Sequence, residues 1–209
     1  MTLIHISTLD VQHGYESSFL DWYDGQFLPG LLERKDWAAA RRYRCLDGEP
    51  RVLTIFELDV RDVDRATTLS AAPFRYETEG RRVRNYHGRS YRQIAMLGKP
   101  RSATELINVV FTDVAADHRA VFSRWYDEVH LPEIVNCPGW VAARRYESLG
   151  EEHRFVAMYD LEDAERPFTT PEFEAAAGWD EHTEHLLGYH GFRIYGLQRS
   201  LAVGSETPK

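Results

Sequence analysis

The chain has 209 residues, of which 43% are hydrophobic and 28% are charged, a composition typical of soluble globular proteins. Its formal net charge of −8 disfavours nucleic acid as a partner, because phosphate binding usually requires a basic surface. No apolar run approaches the roughly 20 residues that span a bilayer, and the N-terminus lacks the pattern of a secretion signal. We therefore expect a cytoplasmic protein that works without a membrane or nucleic acid.

The two halves of the sequence are similar at a constant shift of 103 residues, the separation of Trp22 and Trp125. The matched segments include Trp22-Tyr23-Asp24 with Trp125-Tyr126-Asp127, Ala39-Ala40-Arg41-Arg42-Tyr43 with Ala142-Ala143-Arg144-Arg145-Tyr146, and Tyr86-His87-Gly88 with Tyr189-His190-Gly191. One shift that relates motifs across most of each half indicates duplication and fusion rather than chance similarity.

Each half, taken in chain order, predicts the element order βαββαβ. The predicted ranges are a strand at 3–10 or 105–113, a helix at 14–33 or 117–135, a strand pair at 37–46 and 51–58 or 139–149 and 153–161, a second helix at 62–84 or 167–186, and a last strand at 86–97 or 189–198. Asp47-Gly48 and Gly150 provide the turns between the paired strands.

The first helix of the second half carries most of the local signals. Asp117 is expected to cap its N-terminus. An apolar stripe is predicted from three residues spaced four apart and one neighbour, Val121, Trp125, Val129 and Phe122. Pro29 and Pro132 are expected to end or kink the two first helices, because proline lacks the N–H that would continue the hydrogen bonding.

The order βαββαβ is the ferredoxin-like plan, an α+β fold in which both helices lie on one face of an antiparallel sheet. The other face of such a sheet needs cover, and a fused pair of sheets can provide that cover within one chain. We expect a first repeat at 1–98, a linker at 99–104, a second repeat at 105–201 and a mobile tail at 202–209.

The stretch Trp125-Tyr126-Asp127-Glu128-Val129-His130-Leu131-Pro132 resembles the helix motif of EthD-like proteins, a group within the dimeric α/β-barrel superfamily. This resemblance implies two ferredoxin-like modules that form an intrachain pseudo-dimer, with a small, partly apolar pocket between sheet and helices. The superfamily includes cofactor-free monooxygenases, polyketide cyclases and dehydratases, isomerases and haem-degrading enzymes, so it implies no single reaction. The first half departs from the motif, because Phe27 matches His130. We therefore hypothesise one working site and one structural half.

His130 is the first catalytic candidate, because a histidine titrates near neutrality and can act as general acid or base. Its place at the C-terminal end of the predicted helix favours the imidazolium form, and Asp127 could orient the ring. Tyr126, Tyr189 or His190 would stabilise a developing enolate or phenolate. The structural interpretation of His130 is that it caps the helix end or packs on the proline turn.

Four further residues are candidates for substrate binding. Asn108 and His5 occupy matched positions on the first strands, where polar side chains can line a pocket. Arg144 could bind an acidic substrate group, although a salt bridge between the halves is the structural interpretation for the paired arginines. Trp125 is either a pocket wall or a core anchor.

We expect no metal and no cofactor. His182 and His185 could form half a metal site, but the sequence offers no third ligand, and a solvated helix face explains the pair as well. Cys45 and Cys137 have no metal-binding spacing and are interpreted as reduced structural thiols. The sequence contains no phosphate-binding glycine loop and no serine nucleophile motif.

The leading functional hypothesis is cofactor-independent acid/base chemistry, of the cyclase, dehydratase or isomerase type, on a small aromatic or carbonyl-bearing molecule. A cofactor-free or haem-dependent oxygenase is the first alternative, and a non-catalytic small-molecule binding protein is the second. Fusion supplies the pairing that single modules obtain by dimerising, so a monomer is feasible. We favour a homodimer, because two chains could still associate through their remaining sheet edges or helices.

Overall fold

A computed structural model of the chain describes residues 1–69, 79–100, 104–150, 154–178 and 183–204. The chain divides into two compact units. The first contains residues 1–92 together with the end of the chain from residue 196, and the second contains residues 93–195. The predicted boundaries of the repeats and of the linker stay a prediction, and residues 101–103 of that linker and 205–209 of the tail lie outside the described residues.

Within the described residues, eight strands form the sheet, and the order of elements follows the predicted duplication. In the first half they are β1 (Leu3–Val11), β2 (Trp37–Cys45), β3 (Val52–Leu58) and β4 (Val83–Gly98), and in the second β5 (Leu106–Val114), β6 (Trp140–Ser148), β7 (Phe155–Leu161) and β8 (Leu187–Ala202). Hydrogen bonding follows the order β1-β3-β2-β8-β5-β7-β6-β4 and closes on itself. The predicted α+β class and the dimeric α/β-barrel plan are confirmed.

The last strand of each half is long enough to serve both units. Residues up to 92 of β4 belong to the first unit, where they pair with β1, and the rest of the strand belongs to the second unit. The end of β8 from residue 196 likewise belongs to the first unit. The first unit therefore contains the end of β8, and the second unit contains the end of β4.

The first helix of each half is longer than one regular segment. It consists of α1 (Glu16–Trp22), a π-helical turn (Tyr23–Phe27) and α2 (Leu28–Leu32) in the first half, and of α4 (Arg119–Trp125), a π-helical turn (Tyr126–His130) and α5 (Leu131–Val135) in the second. The prolines do not end these helices. Each lies near the start of the segment after the π turn, where a missing N–H is tolerated by the wider turn.

Two details of the predicted α4 segment are wrong. Asp117 does not cap the helix, because the N-cap residue is His118 and no side chain makes a capping hydrogen bond. Val121 and Val129 are 61% and 41% exposed, so they do not form the apolar stripe. The buried face lies one position further along and contains Phe122, Tyr126 and His130, a stripe in which aromatic residues replace the aliphatic ones.

The second helical regions are shorter than predicted within the described residues. In the first half the region holds α3 (Val63–Thr68) and a 3₁₀ turn (Glu79–Arg82), while residues 70–78 lie outside the described chain. In the second half it holds a 3₁₀ turn (Arg166–Thr169), α6 (Pro171–Ala176) and a second 3₁₀ turn (Glu184–Leu186). Thr170 caps α6 by accepting a hydrogen bond from the Phe173 N–H.

The paired arginines point to opposite faces of the sheet, as strand alternation predicts. Arg145 is fully buried and donates to Asp127 Oδ1 at 2.8 Å, and Arg144 pairs with Asp160. Arg42 and Asp24 repeat the buried pair in the first unit, at 2.6 Å. These pairs are therefore not the salt bridges between the halves that we expected, because each lies within one unit.

The repeated Tyr-His-Gly motif has a packing explanation. The hydroxyl of Tyr86 lies across Gly88, and the hydroxyl of Tyr189 lies across Gly191, so that a Cβ atom at either glycine would overlap the phenol. In each motif the glycine follows the tyrosine by two positions and therefore lies on the same face of the strand. Because glycine has no side chain, it leaves room there for the tyrosine ring. This close approach, rather than the intervening histidine, accounts for the retention of tyrosine and glycine.

The Arg145–Asp127 pair leads to a stability prediction. Asp127→Ala leaves the buried Arg145 without its carboxylate partner. We therefore expect the free energy of unfolding to fall by about 2–4 kcal/mol. This is less than for a completely buried pair, because Asp127 keeps some contact with solvent. The control is Glu57→Ala, because Glu57 is 45% exposed and its bridge to Arg41 should contribute about 1 kcal/mol or less. Equal losses in urea unfolding of the two variants would contradict the prediction.

Candidate functional site

The second unit encloses a cavity of about 720 Å³. Its walls come from β5, the start of β6, β7, β8, the first helix of the second half and the segment around α6. The lining residues are mainly apolar or aromatic: Asn108, Val110, Tyr126, His130, Ile134, Trp140, Tyr159, Ala164, Glu165, Phe168, Thr169, Phe173, Ala177, His190, Phe192 and Ile194. A cavity of this size and lining is typical of sites for small organic ligands.

The inner wall carries the buried polar groups. The Oη atoms of Tyr126 and Tyr159 are hydrogen-bonded at 2.8 Å, and both side chains are buried. Asn108 lies directly opposite Tyr159 in the β5–β7 register, so the two side chains share a face of the sheet. Burial raises the pKa of Tyr126 to about 12 and the pKa of Tyr159 well above its usual value. Both phenols therefore stay protonated at neutral pH and can donate.

His130 lies next to this phenol pair, between two aromatic rings. Its imidazole stacks on Trp125 with ring centroids 5.0 Å apart, and it meets Tyr126 edge-on at 4.9 Å. Burial and, to a smaller extent, the charges of Arg145 and His190 together lower the pKa of His130 to about 4. The predicted imidazolium is therefore wrong. The helix continues into α5 beyond His130, so the helix end that would favour a cation is absent at this position.

The segment around α6 covers the cavity and is anchored by one tryptophan. The indole of Trp140 stacks on Phe173 at 5.0 Å, meets Phe168 edge-on at 5.1 Å, and donates through Nε1 to the Pro167 carbonyl at 3.1 Å. Trp140 also contacts Tyr159 edge-on at 5.1 Å. The same side chain thus connects the cover to the inner wall.

The mouth of the cavity has both polar and apolar side chains and one carboxyl group, that of Glu165. Glu165, Thr169, His190 and Phe192 are exposed lining residues, and burial still lowers the pKa of His190 below its ordinary value. No lysine or arginine belongs to the described lining. The cavity therefore suits an aromatic ligand without a carboxylate or phosphate group better than a ligand that carries one.

The structure brings some of the predicted site residues together. Asn108, Tyr126, His130 and His190 line the cavity, and Trp125 lies behind His130. Tyr189 is 49% exposed and is not a lining residue. Asp127 and Arg144 hold the pairs with Arg145 and Asp160, and His5 lies in the first unit.

Sequence reasoning missed Tyr159 and Trp140. Trp140 matches Trp37 and gave no sign of a special role. Tyr159 carried a signal, because the matched position in the first half is Phe56 and the difference adds a hydroxyl. A buried tyrosine that replaces phenylalanine between repeats indicates a new hydrogen-bonding partner.

The first unit has different side chains at the matched positions. Phe27 takes the place of His130 and stacks on Tyr23 at 5.0 Å. The Tyr23 hydroxyl bonds to Thr54 Oγ1 at 3.2 Å. His5 takes the place of Asn108, and its Nδ1 bonds to Ser90 Oγ, which donates to the Ala66 carbonyl. The combination of helix histidine and phenol pair is therefore found in the second unit.

Among the described residues, no three histidine, cysteine, aspartate or glutamate side chains come together as metal ligands would. His185 contacts His118 with ring centroids 6.5 Å apart, and His182 lies outside the described residues. Cys45 and Cys137 are buried and not bonded to each other. In the same part of the chain, each helix is too short or too polar to cross a bilayer.

The lowered pKa of His130 predicts a pH-dependent stability. A histidine whose folded-state pKa of about 4 lies below its unfolded value of 6.5 contributes stability above pH 6.5 that is lost as the pH falls towards 4. The loss should be about 3 kcal/mol. His130→Asn should reduce the dependence of the unfolding free energy on pH between 7 and 4.5, and His5→Asn should do so as well, since burial lowers the pKa of His5 to about 4. An unchanged pH dependence in His130→Asn would show that its imidazole is not desolvated.

No protein-family model matches the sequence, and neither does any curated protein. Solved structures are nevertheless similar over the whole chain. An anthrone oxidase-like protein has a TM-score of 0.69 at 14% identity and covers 98% of this chain and 94% of its own. A proposed monooxygenase from Fusobacterium nucleatum has a TM-score of 0.61 at 9% identity, covering 98% and 96%.

A third solved structure broadens the range of named activities. A chlorite dismutase mutant from Candidatus Nitrospira defluvii, in complex with cyanide, has a TM-score of 0.61 at 12% identity and covers 95% of this chain and 91% of its own. At these identities the similarity establishes the fold and leaves the reaction open. The chain has the ferredoxin-like fold of the dimeric α/β-barrel superfamily.

Proposed function

We propose that the cavity of the second unit is the active site of a cofactor-free oxygenase or oxidase that acts on a small aromatic molecule. The observation that carries the proposal is a buried, neutral histidine, His130, in the wall of a largely aromatic cavity beside two protonated phenols. A neutral imidazole can accept a proton, and an apolar cavity retains a flat aromatic ligand.

The reaction begins with proton transfer from an acidic C–H of the substrate, next to an aromatic ring or carbonyl, to His130. The resulting carbanion gives one electron to molecular oxygen, and the two radicals combine to form a peroxide anion, which takes the proton back from His130. Loss of the second C–H proton with cleavage of the O–O bond then yields a carbonyl and one water. One O₂ thus converts a CH₂ group into C=O, and no further oxidant is needed.

The names of the similar structures support the oxygen-dependent version of this chemistry. They include an anthrone oxidase-like protein and two proposed monooxygenases, one of them from Lactobacillus acidophilus with a TM-score of 0.59. Cyclisation, dehydration or isomerisation could use the same proton transfer at His130. Consumption of oxygen distinguishes the two classes, because the non-oxidative reactions leave its concentration unchanged.

A haem-dependent reaction is less compatible with the cavity. Haem carries two carboxylates, and such groups are usually bound by arginine or lysine. The described lining instead contains Glu165 and no basic side chain other than histidine. The lining therefore does not fit haem, and the proposed reaction runs without it.

The decisive variant is His130→Ala. We expect it to lower kcat for oxygen uptake with a phenolic or anthrone-type substrate about 10²–10⁴-fold, the usual contribution of a general base. The measurement is oxygen consumption with an electrode, together with the product spectrum. Because His130 packs on two rings, circular dichroism should confirm that the variant is folded.

The matched control is Phe27→Ala, which removes the side chain at the equivalent position of the first unit. It should leave oxygen uptake within about twofold of the wild type after correction for the folded fraction. Equal losses in the two variants would contradict a single working site. Saturable ligand binding without turnover, in wild type and His130→Ala alike, would favour a non-catalytic binding protein.

A further inference from the structure

We propose that Tyr126 and Tyr159 form an oxyanion subsite in the second unit, which binds the phenolate or enolate oxygen of an aromatic ligand. The inference rests on the proposed function and deepens it, because it assigns the part of the substrate that faces the inner wall. Tyr159 would be a catalytic residue that sequence reasoning did not identify.

The geometry of the pair supports this assignment. The two hydroxyl oxygens are 2.8 Å apart, and one O–H must donate to the other oxygen. The pair holds two protons, so the second O–H is directed outside the pair. Both residues belong to the cavity lining, and each is 2% exposed. A ligand oxygen in the cavity would meet a donor whose position is already fixed by the partner phenol.

A buried cation lies behind the pair. The guanidinium carbon of Arg145 is 4.5 Å from the centroid of the Tyr126 ring, and the Arg145 side chain is fully buried. Its carboxylate partner Asp127 is 32% exposed, so water screens the negative charge of the pair more than the positive one. The positive field of Arg145 lowers the pKa values of both phenols, against the larger effect of burial. The same field favours an anion at the inner wall.

The first unit offers an internal comparison. It keeps the buried cation as Arg42 and the first phenol as Tyr23, but Phe56 stands where the second unit has Tyr159. The hydroxyl partner of Tyr23 is Thr54, at 3.2 Å. The second phenol therefore occurs in the unit that also has His130, whose ring is 4.9 Å from Tyr126. One ligand in the cavity could therefore contact both a proton acceptor and an oxyanion donor.

The test uses 4-nitrophenol, whose phenol and phenolate forms absorb at different wavelengths, and the full chain. Titration of the bound probe should give a pKa at least about one unit below that of the free probe, since the subsite stabilises the phenolate. Tyr159→Phe removes one hydroxyl and places the residue of the first unit at this position. It should lower the preference for phenolate over phenol about tenfold.

The matched control is Thr54→Ala, which removes the corresponding hydroxyl in the first unit and should leave the bound probe unchanged. If Tyr159→Phe does not fold, Tyr126→Phe replaces it with the same expected effect. A bound probe whose pKa is unshifted, a shift that survives in Tyr159→Phe, or the absence of saturable binding would overturn the oxyanion subsite.

The two proposals fail in different ways. An unshifted probe together with oxygen uptake that depends on His130 would remove the subsite and keep the proposed function. A shift that depends on Tyr159, together with no oxygen uptake in the wild type, would keep the subsite and remove the oxygenase. In the second case the ligand class would remain a phenolate or enolate, but the reaction would be non-oxidative or absent.

Discussion

The positively charged side chain of Arg145 lies among three aromatic rings. Its guanidinium carbon is 4.5 Å from the ring centroids of Tyr126 and Phe155 and 5.5 Å from that of Phe122. It is held there by Asp127 and by the carbonyl and hydroxyl of Ser123, so it joins strand β6 to the first helix of the second half. An unpaired charge in such a place would cost several kcal/mol. The helix must therefore keep its position over the sheet, and with it Tyr126 and His130.

The same enclosure determines the chemistry of the cavity. His130 is neutral because it is buried and because Arg145 and His190 disfavour a further positive charge. The two phenols stay protonated because burial disfavours their own phenolate forms. A site with a neutral base and neutral donors can accept a proton from a ligand and leave the negative charge on that ligand. Burial and the fixed charge of Arg145 thus determine the protonation states of His130, Tyr126 and Tyr159.

The repeat made the fold predictable. A constant shift between Trp22 and Trp125 gave two independent estimates of each element, and the order βαββαβ followed from them. The burial of individual helix positions was harder to predict, because Val121 and Val129 are apolar yet exposed, while the aromatic face beside them is buried. His130, Tyr126 and Asn108 were found from a motif and matched positions. Tyr159 and Trp140 were not, because their role depends on contacts across strands that sequence spacing does not encode.

The long strands β4 and β8 have a consequence for the origin of the chain. Residues 93–98 end the first half of the sequence but belong to the second compact unit, and residues from 196 onward end the second half but belong to the first. A single unduplicated copy would therefore lack the strand segment that the other copy supplies. Two separate copies could restore this segment by exchanging the ends of their last strands, and the duplicated chain makes the same exchange within one polypeptide.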